Sequence, residues 1–317
     1  MSHVLVTGAS GFVGRPLVAA LAARGDRVRA LVRRDRHPGP GIEAVVVPDI
    51  AGEVDWPALL RGVDGVVHLA AIAHIGPGVP EAAYDRVNRG ATAALAQAAK
   101  SAGVTRLVFM SSIRAQSGPS SDHVLTETDP PQPTDAYGRS KLAAEAAVRD
   151  CGGAFTILRP PLICGPGVKG NLGALLRLAT LPIPLPLGAL SGRRSLVAVE
   201  NLIGAILHCL SEPQTTGETY IVANPDAVTV PQIVATLRQS MGRRAGLFPV
   251  PPGLLKTAFG LIGRRDLWDR LDGSLEVSAA KLAATGWQPV LTLNDSLAAM
   301  AQATAERNPG TASRSTR

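Results

Sequence analysis

The stretch VTGASGFVG, Val6 to Gly14, constrains this chain more than any other. It sets Gly8, Gly11 and Gly14 at three-residue intervals, after the β-branched run HVLVTG and before the Ala/Leu-rich run GRPLVAALAARG. Glycines between a strand and a helix permit a tight turn and let the backbone approach a pyrophosphate. The free N–H groups at the helix start then face the phosphates. An isolated glycine triplet says little; in this context it reads as a dinucleotide-binding turn. Gly8, Gly11 and Gly14, with Ser10, Phe12 and Val13 between them, are the expected cofactor contacts.

The flanking runs extend that reading. HVLVTG, DRVRALVR, EAVVVPDI, GVVHLAA, RLVFMSS and FTILRP are short and apolar, and Ala-rich helical stretches separate most of them. Strands alternating with helices imply a parallel sheet, and runs as continuously apolar as GVVHLAA suit one covered on both faces. The fold class is therefore α/β, a Rossmann-type doubly wound parallel sheet. After Arg159 the alternation stops, and PPLICGPGVKGN and LPIPLPLGALSGRRS read as Pro/Gly-rich loops around one short helix. Helices near 199–210, 231–241 and 252–261 follow, with the strand ETYIVA among them. This half reads as a smaller C-terminal lobe over the carboxyl ends of the strands, where open α/β sheets bind ligands. The expected division is 1–160 for the sheet domain and 161–303 for the lobe, some of whose elements return to the sheet. A disordered tail is expected over 304–317.

Composition narrows the partners. The chain carries a formal charge of +7, with six arginines between Arg24 and Arg36, but only 3% aromatic residues. Beside a phosphate-binding turn, that basic stretch favours phosphorylated small molecules over nucleic acid, which would also want stacking rings. Cys151, Cys164 and Cys209 have no paired spacing and the six histidines no ligand spacing, so no metal site and a reducing, cytoplasmic location are expected. The apolar segment Leu247–Gly263 contains three prolines and Lys256, which is too interrupted for stable membrane insertion. A helix packed over a substrate cleft is expected there in preference to peripheral membrane contact.

The strand ends supply the remaining candidates. NAD-preferring proteins carry an acidic residue at the end of strand two; here Val32 stands there, followed by Arg33 and Arg34. Guanidinium groups pair with a ribose 2′-phosphate, so NADP(H) is favoured, with NAD(H) as the alternative and Asp35 within reach of a ribose. Asp49 and Ile50 follow strand three towards the adenine, and Ala70 and Ala71 lie where the cofactor backbone must pass closely. Asn88, on the long helix, is an amide that tethers a strand or a water, or an ordinary helix-surface residue. In DAYGRSK, Tyr137 and Lys141 are four residues apart and share a helix face, either as a surface pair or as a phenol beside a cation.

Together VTGASGFVG, PDI, HLAA, FMSS, YGRSK, LRPPLICGPG and RRSLVAVENL resemble the extended short-chain dehydrogenase/reductases, the NAD-dependent epimerase/dehydratase family, over roughly residues 3 to 300. The resemblance implies a serine at the end of strand five, Ser112 with Ser111 as runner-up, which holds the substrate oxygen. It makes Tyr137 the general acid/base and Lys141 the holder of the nicotinamide ribose, whose charge lowers the phenol's pKa. The second half is similar to bacterial surface-polysaccharide enzymes acting at C4 of nucleotide sugars, as 4-epimerases or 4-ketoreductases. That implies a diphosphate clamp at Arg194, contacts from Asn171, a second clamp at Arg270, and a homodimer through the helices at Glu81–Gly103 and Ala136–Asp150. A reductase of a non-sugar ketone and a non-catalytic cofactor-binding protein are the competing readings.

Overall fold

The computed structural model describes residues 1–34, 39, 41–73, 78–261, 263, 268 and 271–307. Among them, seven parallel strands form one sheet in the order β3-β2-β1-β4-β5-β6-β9. They are β1 (His3–Thr7), β2 (Arg27–Val32), β3 (Ile42–Val46), β4 (Gly65–His68), β5 (Arg106–Met110), β6 (Phe155–Arg159) and β9 (Glu218–Ile221). Every residue of β1 and β4 is buried, as a strand covered on both faces requires. On one face, Leu17, Val18 and Leu21 of α1 (Gly14–Ala23) join Leu202 and Ile206 of α7 (Val199–Ser211). On the other, Leu95 and Ala99 of α4 (Ala91–Ser101) pack with Ala144 and Val148 of α5 (Ala136–Asp150). The chain reverses its winding between β1 and β4, and the carboxyl ends of these strands form the crevice where doubly wound sheets bind ligands.

The lobe departs from expectation in its strands. Two segments that read as loops contain β7 (Leu162–Cys164) and the first half of β8 (Arg193–Ala198), which with β10 (Ala227–Thr229) form a three-stranded sheet. Strands this short carry little periodicity of their own, so pairing decides them. The lobe core joins α6 (Gly170–Thr180), α8 (Val230–Ser240) and α11 (Leu293–Arg307) through Leu176, Ile233, Val234 and Leu297. Both α7 and β9 lie with the large sheet although they follow residue 160. Residues 304–307, expected in the tail, belong to α11, which runs to Arg307; residues 308–317 lie outside the described residues. The helix expected to pack over a cleft, α9 (Pro252–Leu261), has no buried residue. Its Leu255 alone among the described apolar residues of that helix packs against the lobe core.

The crevice is tied by a buried histidine. His68 Nδ1 and the Thr7 hydroxyl are 2.7 Å apart, Nε2 lies 2.9 Å from the Thr92 hydroxyl, and the ring stacks on Phe109. Burial, with the nearby Lys141 charge, pushes this imidazole down to about 3. The unfolded chain takes up a proton there near pH 6.5 and the folded chain does not, so stability falls as pH drops through that window. Between about pH 6.5 and about pH 5, the wild type should lose about 2 kcal/mol more than His68→Asn in denaturant unfolding. Parallel pH curves for the two proteins would refute this assignment.

Candidate active site

The glycine turn has the form that an anion-binding helix start requires. Gly8 sits at φ +67°, and a Cβ there would lie 2.9 Å from Ala70 N; one at Gly14 would lie 2.2 Å from Gly8 O. These two positions hold the turn against β4 and the helix against the turn. The first turn of α1 carries no side-chain cap and no acidic residue; Arg15 N donates to Gly11 O and Pro16 has no N–H, so the backbone at Phe12, Val13 and Gly14 is what the turn offers a ligand. Gly11 is exposed and Ser10 half-buried. Phe12 and Val13 turn their side chains onto the α1/α7 core, leaving their backbone at the turn. The residues present therefore fit a dinucleotide pyrophosphate.

The other cofactor candidates surround this turn. Val32 is buried while Arg33 and Arg34 are exposed; Asp35 lies outside the described residues. Asp49 pairs with Arg86 at 2.8 Å and is held below the usual carboxylate range by that hydrogen bond. Ile50 packs into the core beneath α4. The Thr7 hydroxyl accepts from the N–H groups of Leu69 and Ala70, both at 3.1 Å, which draws Ala70 over the glycine turn; Ala71 follows, half-buried. Asn88 is not a surface amide. It is buried in a π-helical turn, Asp85–Gly90, between α3 (Glu81–Tyr84) and α4. Its side chain brackets Ile72, accepting from Ile72 N at 2.8 Å and donating to Ile72 O at 3.1 Å, and donates to Ser140 Oγ at 2.9 Å. It ties the segment after β4 to the helix that carries Tyr137.

Tyr137 opens α5 because Asp135 caps that helix, accepting from Gly138 N at 2.7 Å. The tyrosine is buried and meets Tyr84 edge-on with ring centroids 6.3 Å apart, with the Ser112 side chain beside its hydroxyl. At the end of β5, Ser112 is the serine that acts on the phenol, whereas Ser111 donates to Glu145 at 2.6 Å. The electrostatics differ from expectation. Burial pushes the phenol up to about 12, opposed by the Ser112 hydrogen bond and the Arg114 charge and reinforced by Asp135. The expected lowering by Lys141 is absent because that side chain reaches the other way. Its Nζ donates to Met110 O at 2.7 Å and lies 4.8 Å from the Phe109 ring centroid. Burial pushes the ammonium down to about 7, and Glu145 opposes this.

Several residues of this site went unnoticed in the sequence. Arg114, in the turn Ile113–Ala115 after Ser112, ion-pairs with Asp135 and adds charge near the phenol. Behind it, fully buried Glu145 receives Arg159 Nε at 2.8 Å and Nη2 at 2.6 Å, while Arg159 Nη1 donates to Gln116 at 3.0 Å. The Asp135 cap was readable from its place before a helix; the Glu145–Arg159 pair had no local signal.

In the lobe, Asn171 is exposed in the first turn of α6. On β8 the alternating pleat separates two adjacent arginines. Arg193 is exposed and paired with Glu276 at 3.2 Å, whereas Arg194 is 8% exposed with the Asp272 charge nearby. Arg270 lies outside the described residues.

Known proteins share this layout. The NAD dependent epimerase/dehydratase family matches residues 4–223. The chain is 34% identical to UDP-glucose 4-epimerase of Vibrio cholerae over 96% of both chains. It is 32% identical to ceramide reductase of Caulobacter vibrioides over 90% of this chain and 86% of that one. The structure of MoeE5 in complex with UDP-glucose and NAD superposes with a TM-score of 0.78 at 25% identity, covering 96% and 99% of the two chains. None of these lends support to the NADP(H) preference expected from Arg33 and Arg34.

Proposed function

Because the chain belongs to the NAD dependent epimerase/dehydratase family, we propose that it epimerises a UDP-linked sugar at C4 with NAD(H) as its resident cofactor. The observation that carries this reading is the buried Tyr137 phenol, with Ser112 beside it, just beyond the end of β5 at the crevice. The uncapped start of α1 would hold the pyrophosphate, and Lys141, with one of its three ammonium donors on Met110 O, would hold the nicotinamide ribose with the others. Bound there, NAD+ supplies the two-electron oxidant that turns the C4 alcohol into a ketone and gives the electrons back. Ser112 positions the C4 oxygen. Tyr137 takes the hydroxyl proton as the carbon is oxidised and returns it after the 4-keto sugar has presented its other face. The form that takes this proton is the phenolate; burial works against it, pushing the phenol up to about 12, while the Ser112 side chain and the charge of Arg114 favour it. Arg194 would grip the diphosphate, with Asn171 beside it.

Incubation with UDP-glucose or UDP-GlcNAc and no added nicotinamide cofactor should yield the C4 epimer with no net oxidation or reduction. Stoichiometric consumption of NADH or NADPH, with a reduced product, would overturn the epimerase reading. Titration calorimetry should find NAD+ bound more tightly than NADP+. Arg33→Ala combined with Arg34→Ala should shift NAD+ affinity by less than about five-fold, since both side chains are exposed. A strong preference for NADP+ would restore the other assignment. Reduction of a non-sugar ketone is the second reading; the observation in its favour is the 32% identity to ceramide reductase.

A further inference from the structure

We propose that α9 and the loop beside it form a docking surface for an anionic lipid bilayer. Of the ten large hydrophobic side chains exposed among the described residues, five lie here: Leu181, Ile183, Phe248, Leu254 and Leu261. Ile183 is 55% exposed, Leu254 64% and Leu261 84%. The two segments are joined in space. Leu185 N donates to Gly246 O at 2.9 Å, Phe248 N donates to Leu185 O at 3.1 Å, and the buried Arg238 holds the carbonyls of Leu181 and Ile183 at 3.1 Å and 2.8 Å. Helix α9 starts four residues beyond Phe248. Leu247 and Leu255 pack on the same core as Leu185 and Leu196, so this surface is anchored on the substrate lobe.

A ten-residue helix with no buried residue gains little from tertiary packing, and its glycines and short length give it little stability of its own. Its apolar side needs a cover. Charge says which. No Asp or Glu occurs between Asp150 and Glu200, or between Asp226 and Asp266. Lys169, Arg177, Arg244 and Lys256 are exposed within those two stretches. Exposed apolar side chains in stretches that carry cations and no carboxylates along the sequence match a helix lying in the plane of an anionic interface. No helix among the described residues is long and apolar enough to cross a membrane, so the contact is peripheral.

Vesicle co-sedimentation of the full chain tests this, with phosphatidylcholine alone and phosphatidylcholine mixed with phosphatidylglycerol. The mixed vesicles should hold at least about ten-fold more protein, and added salt should release it. Leu254→Glu with Leu261→Glu, and separately Arg244→Glu with Lys256→Glu, should abolish binding while NAD+ affinity stays at the wild-type value. Absence of wild-type binding to the anionic vesicles, or retention by both charge-altered proteins, would overturn the proposal. So would conversion of a dimer to monomer by Leu254→Glu with Leu261→Glu, because a second copy would then be the cover. Partition is read without substrate, so a protein that binds vesicles but leaves UDP-sugars untouched sinks the epimerase reading and not this one.

Discussion

Tyr137→Phe should fold and bind NAD+ like the wild type and turn over substrate about 10²–10⁴-fold more slowly, the usual worth of a positioned general acid/base. The substitution keeps the ring that meets Tyr84 edge-on at 6.3 Å and removes only the hydroxyl that Ser112 contacts. Neither neighbouring serine is placed to replace it: Ser111 is committed to Glu145 and Ser140 to the Tyr137 carbonyl at 2.7 Å. Ser112→Ala should cost less, because it removes a hydrogen bond and leaves the proton carrier. The measurement is steady-state turnover with calorimetric NAD+ affinity alongside. Turnover of Tyr137→Phe within about three-fold of wild type would remove the phenol from the chemistry.

Glu145→Gln should lower stability by about 3–5 kcal/mol, because it leaves the Arg159 guanidinium buried without its counter-charge. The carboxylate is fully buried and receives Arg159, Ser111 and, at 3.0 Å, Arg149. In thermal unfolding the expected fall is roughly 10 °C for a chain of this size. Glu145→Met combined with Arg159→Met should recover much of the loss, since paired apolar replacements spare both desolvation costs. A Glu145→Gln protein as stable as wild type would show that the pair contributes nothing to the fold. The same carboxylate opposes the burial of Lys141, so the network also bears on how that ammonium is held.

These two predictions divide along what was legible. Tyr137 stood out because its four-residue spacing from Lys141 is a local mark of a shared helix face. Glu145 did not, although it sits about two turns further along the same helix, because its partner Arg159 comes from another element. The same holds for Asn88: its residue type permitted a tether or a surface amide, and only the approach of Ile72 and Ser140 decides for the tether.

The sequence by itself determined the doubly wound sheet, the glycine turn between β1 and α1, and the placing of Tyr137 and Lys141 four residues apart on one helix. Strand-and-helix alternation and fixed short spacings are properties of neighbouring residues, so they survive in one dimension. Tertiary structure alone decided that Lys141 reaches Met110 O rather than the phenol, and that Arg194 turns inward while Arg193 turns out. It also decided that β7, β8 and β10 pair into a second sheet. Each of these depends on burial and on a partner far along the chain: desolvation sets the phenol's proton affinity, a two-residue pleat needs a core to choose its inner face, and a three-residue strand exists only where another strand completes its hydrogen bonds.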